Sequence, residues 1–166
     1  MRFFQIKEFD DVFYTGGLPV TPANIEELKK RGISTIVSLE PMSPHVAEFA
    51  VEHGIKVVNM PVEWHGKVPE SKLKRFLSLA ALADGKGEKI FLHCLQGKDR
   101  TGQALVAYFY AKYPTPESRR DIVKRHEGSE FTVPTEQIMQ DVLRRRQEHY
   151  GRVLTRAKKF LKRPPP

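Results

Sequence analysis

The sequence predicts an α/β domain: a central, mostly parallel sheet of four to five strands flanked by helices on both faces. Three observations carry that expectation. Short β-branched runs alternate with segments of helical period through the first half of the chain, the pattern of strands joined by crossover helices. Glycine and proline stand where the period changes rather than inside the runs. The 166 residues, 40% hydrophobic and 29% charged, suit one domain around a single core and exclude a collagenous or wholly disordered chain.

Val12 to Thr15 reads as the first strand, ended by the turn Gly16-Gly17-Leu18-Pro19. Thr21 before Pro22 is an N-cap with proline at the first helical position; Ile25 and Leu28 form an apolar face, and Gly32 stops the helix. Ile33 to Leu39 fits a largely buried strand. A second helix spans Pro44 to His53 with Val46, Phe49 and Ala50 on one face, and the strand Lys56 to Met60 follows Gly54. Pro61 to Pro69 has no period and reads as a loop, of a length that often carries function. Glu70 to Ala83 is a helix with Leu73, Phe76, Leu77 and Ala80 inward. Ile90 to His93 is a short apolar strand ending at Cys94. Helices follow at Gln103 to Tyr113 and Glu117 to His126. A long last helix, capped by Thr135, covers about residues 136 to 162, where Ile138, Val142, Tyr150, Val153, Leu154, Ala157 and Leu161 recur at helical spacing.

Charge is uneven along the chain. Between residues 144 and 163, nine lysines and arginines face a single acid, Glu148, so this segment accounts for the whole net charge of +8. Any attraction to nucleic acid, anionic lipid or an acidic partner is therefore expected from the last helix, whose charges could equally form a solvated face. No apolar run reaches the ~20 residues of a membrane-spanning helix. The opening residues lack the apolar stretch of a signal peptide, which points to a soluble, cytoplasmic protein.

Cys94 is the only cysteine, so no intrachain disulfide and no thiolate zinc site can form, and the six histidines show no paired ligand spacing. Neither metal nor cofactor is expected. The sulfur instead opens a loop between a strand and a helix, with Gly97 three positions on and Arg100 six positions on. Backbone N–H groups of such a loop point inward toward a helix N-terminus, whose dipole favours an oxyanion. Arg100 would clamp two phosphate oxygens. The same field would stabilise a thiolate, making Cys94 a nucleophile near neutral pH.

His93-Cys94-Leu95-Gln96-Gly97-Lys98-Asp99-Arg100-Thr101-Gly102 resembles the signature loop of the cysteine-dependent protein tyrosine and dual-specificity phosphatases. Tyr14 to Pro19 and Gly32 to Leu39 resemble the opening of the small dual-specificity enzymes, so the likeness spans about residues 12 to 145. It implies the fold of that family and a two-step hydrolysis of phosphate monoesters through a phosphocysteine on Cys94. Arg100 would hold the equatorial oxygens, with His93, Leu95, Gln96, Gly97, Lys98 and Asp99 completing the binding loop. Within it, His93 would fix the backbone and Lys98 would favour multiply phosphorylated groups. Thr101 would hydrogen-bond the sulfur and help it leave in the second step. Phe131 to Gln137 resembles a segment ending in a water-positioning glutamine, which implies that role for Gln137.

One feature departs from the family. Relatives protonate the leaving group with an aspartate about thirty residues before the cysteine, yet no aspartate lies between Val12 and Ala83. The loop at that place offers Glu63 and His65, and the signature loop offers Asp99, an acid in similar lipid and bacterial phosphatases. The alternatives are these three residues or no protein acid at all. Substrates implied by the resemblance are phosphotyrosine, phosphoserine or phosphothreonine in proteins first, then phosphoinositides, inositol phosphates or RNA 5′-phosphates. A catalytically impaired phosphate-binding module is the competing class.

Overall fold

The computed structural model describes residues 3–63, 66–128 and 140–161, with side chains in the last stretch from Arg144 to Lys159. Five strands, β1 (Ile6–Glu8), β2 (Phe13–Gly16), β3 (Ile33–Ser38), β4 (Lys56–Asn59) and β5 (Lys89–His93), form one sheet in the order β1-β2-β5-β3-β4. Only β1 runs antiparallel, pairing Ile6 with Gly16. The register aligns Gly16 of β2, His93 of β5, Ser38 of β3 and Asn59 of β4, so the four parallel strands end together. Loops leaving that carboxyl edge build the sites of open α/β sheets.

Among the described residues six helices cover the sheet: α1 (Pro22–Lys30), α2 (Pro44–Glu52), α3 (Glu70–Lys86), α4 (Asp99–Lys112), α5 (Pro116–Arg125) and α6 (Gln140–Leu161). Side chains alternate across each strand, and two cores result. Ile90 and Leu92 of β5 face Phe76 and Leu77 of α3 and Ala104 and Tyr108 of α4. Phe91 of the same strand faces the other way, into a cluster with Ile25 and Leu28 of α1 and Val46 and Ala50 of α2. The apolar stripe of α6 lies on the α3–α4 side, with Tyr150 and Ala157 buried and Val153 and Leu154 packed against the first core. Its Arg152, Arg156, Lys158 and Lys159 remain exposed. No helix among the described residues is long and apolar enough to cross a membrane.

Local chemistry explains the boundaries. Thr21 caps α1 reciprocally with Asn24: Asn24 N–H donates to Thr21 Oγ1 at 3.3 Å, and Thr21 N–H donates to Asn24 Oδ1 at 3.2 Å. Helix α3 runs three residues beyond the expected Ala83, because the left-handed turn that ends it sits at Gly87, φ 68°. Helix α4 begins at Asp99 rather than Gln103, since the signature loop turns directly into the first helical turn before any apolar repeat starts. Strand β1 has no counterpart among the expected elements: three residues, two half-buried and one exposed, carry too little alternation to signal a strand. Thr135 and the first residues of the expected last helix lie outside the described residues.

A buried polar network joins these layers. Asp10, 2% exposed, accepts from the Val12 and Phe13 amides at 2.9 and 2.7 Å. It also accepts from Tyr108 Oη at 2.7 Å, Tyr113 Oη at 2.6 Å and Lys112 Nζ at 3.1 Å. Lys112 Nζ also lies 3.5 Å from Asp84 Oδ2, which accepts from Tyr150 Oη at 2.9 Å. The β1–β2 turn, α3, α4 and α6 are thereby fastened at one point. Burial pushes the Asp10 carboxyl up, but Lys112, the two tyrosine hydroxyls and the Phe13 amide outweigh it and hold it below the ordinary carboxylate range.

Candidate active site

The loop from Cys94 to Lys98 leaves the carboxyl end of β5, the central strand, and feeds α4. Its turn rests on a glycine contact. Gly97 has φ 74°, and a Cβ there would stand 2.6 Å from the carbonyl carbon and oxygen of Gly16. Only glycine lets the loop settle on the end of β2. A hydrogen bond from Leu18 N–H to Leu95 O, 3.0 Å, fixes the other side of the loop.

Cys94 is 3% exposed. Its Sγ accepts from Thr101 Oγ1 at 3.1 Å and from Gly97 N–H at 3.2 Å. Burial pushes the thiol up, while the Thr101 hydroxyl and the backbone N–H groups of Thr101, Gly97 and Lys98 pull it down. The donors prevail, so the thiol lies below its ordinary value. This is the environment of an activated nucleophile rather than of an inert core thiol.

His93 sits behind the loop, fully buried. Its Nδ1 lies 2.9 Å from Cys94 O and its Nε2 lies 2.7 Å from Ser38 Oγ. A carbonyl only accepts, so Nδ1 carries the proton and Nε2 accepts from the Ser38 hydroxyl. Burial holds the imidazole down at about 4, hence neutral at physiological pH. The ring has no exposed face, so the structure places His93 against the loop backbone at Cys94 O.

Arg100 is 2% exposed, and its Nη1 donates to Val62 O at 2.7 Å, Glu40 Oε2 at 2.8 Å and Leu39 O at 3.3 Å. These are its partners among the described residues. Nε and Nη2 donate to no described residue, so that edge is the one that could take two oxygens of a phosphate. The carboxylate that braces Arg100 is Glu40 rather than the adjacent Asp99. Asp99 is exposed at the first residue of α4, where its charge suits the helix dipole. Gln96 and Lys98 are also exposed, and Leu95 is half-buried.

Glu63 is exposed in the loop between β4 and α3. That loop is tied down on both sides of it. Val62 is held by Arg100 and by its own N–H to Leu39 O at 3.0 Å. Further along, Val68 N–H donates to Gln103 Oε1 at 2.8 Å, and Gln103 Nε2 donates to Gly66 O at 3.3 Å. His65 and Gln137, the other residues expected here, lie outside the described residues. Sequence reasoning passed over Glu40, Ser38 and Gln103. A carboxylate immediately after a buried strand was the available signal for Glu40, since strand ends build the site; the other two are uncharged and carry none.

Among the described residues no group of three or more histidine, cysteine, aspartate or glutamate side chains is placed to hold a metal. What the geometry offers is a cysteine sulfur with a lowered pKa, held by the Thr101 hydroxyl and loop N–H groups at the start of a loop that leads into Arg100, which is equipment suited to in-line attack on a phosphate monoester.

Residues 11–149 match the family described as the Swiss Army Knife protein DSP-PTPase phosphatase domain. Among solved structures, Tk-PTP in its active form is similar at 18% identity and TM-score 0.61, covering 93% of this chain and 96% of that one. PTPMT1 in complex with PI(5)P is similar at 14% identity and TM-score 0.61, over 92% of this chain and 98% of that one. TpbA of P. aeruginosa, as a cysteine-to-serine variant in complex with pTyr, is similar at 15% identity and TM-score 0.62, over 86% and 90%. At such identities the three structures speak for the fold, and the family match for the chemistry. The chain belongs to the DSP-PTPase phosphatase family, a family of cysteine-based phosphatases, with Cys94 as its candidate nucleophile.

Proposed function

We propose that the chain forms one catalytic domain that hydrolyses phosphate monoesters on protein side chains, phosphotyrosine first, through a phosphocysteine on Cys94. The observation that carries this reading is the pair of donors on Sγ, Thr101 Oγ1 at 3.1 Å and Gly97 N–H at 3.2 Å, at the start of the loop that leads into Arg100. In the first step Sγ attacks phosphorus as the bond to the ester oxygen breaks. That oxygen leaves with the electron pair and takes a proton from Glu63 or Asp99. Water, oriented by Gln137, then gives a proton to the carboxylate left by the first step and attacks the same phosphorus; the S–P bond breaks, and the thiolate returns to its donors as inorganic phosphate departs. Arg100 and the N–H groups of Leu95 to Arg100 hold the equatorial oxygens in both steps.

A second reading takes phosphoinositides or other multiply phosphorylated small molecules as substrates. Lys98 in the loop and Lys67 in the neighbouring loop are both exposed, and the similar PTPMT1 structure holds PI(5)P. Because α6 packs its apolar stripe on the domain, its exposed basic face would meet RNA or anionic lipid by charge alone, without burying an apolar face.

The test is hydrolysis of para-nitrophenyl phosphate by wild type and Cys94→Ser, with EDTA present and vanadate as competitor. Metal-independent, vanadate-sensitive turnover that vanishes in the variant is expected. Vanadate binding without turnover would replace the enzyme by a phosphate-reading module. Comparison of phosphotyrosine peptides with soluble inositol phosphates then separates the two substrate readings.

A further inference from the structure

Helix α4 does more than present Arg100. Arg100 and Gln103 are three residues apart, hence on one face of the helix, and both side chains reach the loop between β4 and α3. They grip it on opposite sides of Glu63. Arg100 Nη1 takes Val62 O at 2.7 Å, just before the glutamate. Gln103 takes the chain just after it with both ends of its amide, Oε1 accepting from Val68 N–H at 2.8 Å and Nε2 donating to Gly66 O at 3.3 Å. The side chains of Val62 and Val68 are buried at 7% and 3% exposure, whereas Glu63 between them is exposed. The loop thus has two buried feet, Val62 and Val68, with the exposed carboxylate of Glu63 between them in sequence. One foot is set by the arginine that would bind phosphate. The other depends on one uncharged side chain.

We infer that Gln103 is a positioning residue that fixes the loop carrying Glu63 to the phosphate-binding helix, so that the carboxyl is presented to the leaving-group oxygen. This rests on the phosphatase reading above and selects, among its alternatives, the acid on the loop over Asp99. The amide suits the task because it offers one acceptor and one donor, matching an N–H and a C=O two residues apart. A small displacement of a proton donor costs about as much as losing it: general acid catalysis is worth ~10²–10⁴-fold, and a misplacement of about 1 Å can cost 10²-fold.

The test compares wild type, Gln103→Ala and Gln103→Glu on two substrates, para-nitrophenyl phosphate and an alkyl phosphate such as phosphoserine peptide. An aryl oxygen with a good leaving tendency needs little protonation, whereas an alkyl oxygen needs it fully. In Gln103→Ala the alkyl rate is expected to fall at least tenfold further than the aryl rate, with loss of the limb of the alkyl pH profile that reports the protonated acid. Gln103→Glu keeps the acceptor for Val68 N–H and should fall between wild type and alanine. Vanadate affinity and melting temperature are followed in parallel, because a merely structural glutamine would lower the melting temperature without moving the aryl-to-alkyl ratio. An unchanged ratio in both variants with an active wild type overturns the inference and leaves the phosphatase reading standing. A wild type that turns over neither substrate overturns that reading, and the inference with it.

Discussion

Titrating the protein between pH 7 and pH 4 should expose the buried imidazole at the back of the signature loop. His93 is fully buried, shares its Nδ1 proton with Cys94 O and accepts from Ser38 at Nε2, and burial holds it down at about 4 against an ordinary value of 6.5. In the unfolded chain it takes up a proton as pH falls through 6.5, whereas the folded chain resists until about 4. The unfolded state therefore binds more protons across that window, and stability falls as pH falls. The interval between the two values, at 1.36 kcal/mol per pH unit, gives roughly 3 kcal/mol lost by pH 4. That is a large part of the ~5–15 kcal/mol of a typical domain.

Urea unfolding at half-unit pH steps measures this, with His93→Gln as reference, because other carboxylates titrate near the lower end and cancel in the difference. Glutamine can still donate toward Cys94 O and accept from Ser38 but has no proton to gain. The wild-type curve should converge on or cross that of the variant as pH falls, the gap changing by about 3 kcal/mol. Activity should be lost over the same window as loop anchoring fails. If the two stability curves run parallel within about 0.5 kcal/mol from pH 7 to pH 4, the imidazole is not held neutral by burial and the reasoning is wrong.

Four further outcomes follow from the geometry. Thr101→Val removes the hydroxyl 3.1 Å from Sγ; a hydrogen bond to a charged acceptor is worth about 1.5–3 kcal/mol, so alkylation of Cys94 by iodoacetamide below neutral pH should slow roughly tenfold or more. Gly97→Ala puts a methyl into the Gly16 backbone from a positive φ, and isothermal titration should show vanadate affinity collapsing while the fold persists. Glu40→Gln removes the one carboxylate on Arg100 among the described residues; as Glu40 is 37% exposed the stability cost should stay near 1 kcal/mol, with the larger effect read in KM for aryl phosphate. Asp10→Asn should cost about 2–4 kcal/mol in urea unfolding at neutral pH, since three buried or half-buried donors lose an anion. The Asp10 carboxyl is held below its ordinary 3.8, so its contribution is complete above that value and disappears as pH falls through the lower folded value; the variant should be least distinguishable from wild type in strong acid.

Most of the fold was legible because its signals are local. The β5 run Ile90 to His93 and the β3 run Ile33 to Leu39 are apolar on both faces, which only a central parallel strand requires, and both lie in the middle of the sheet. Edge elements were harder. β1 has one neighbour, three residues and no buried side chain, so its pairing is decided by the backbone of β2 rather than by its own pattern. The start of α4 was set too late for a related reason: the first turn is polar because it builds the site, and polarity there reads as loop.

The site divides along the same line. Cys94, Gly97, Arg100 and Thr101 are legible as a string because one strand–loop–helix unit carries them. Their partners are not, because Glu40, Ser38 and Val62 come from other strand ends and meet the loop only through the parallel register that aligns Ser38 with His93. The protonation of His93 and the orientation of Arg100 are therefore properties of the sheet. A spacing rule identifies the nucleophile and its arginine, while the parts that tune them become visible only when β3, β4 and β5 are brought side by side. The proposed acid lies between these cases: Glu63 can be read off the chain, but on our inference its reach to the leaving oxygen depends on Gln103, forty residues away, holding both Gly66 and Val68.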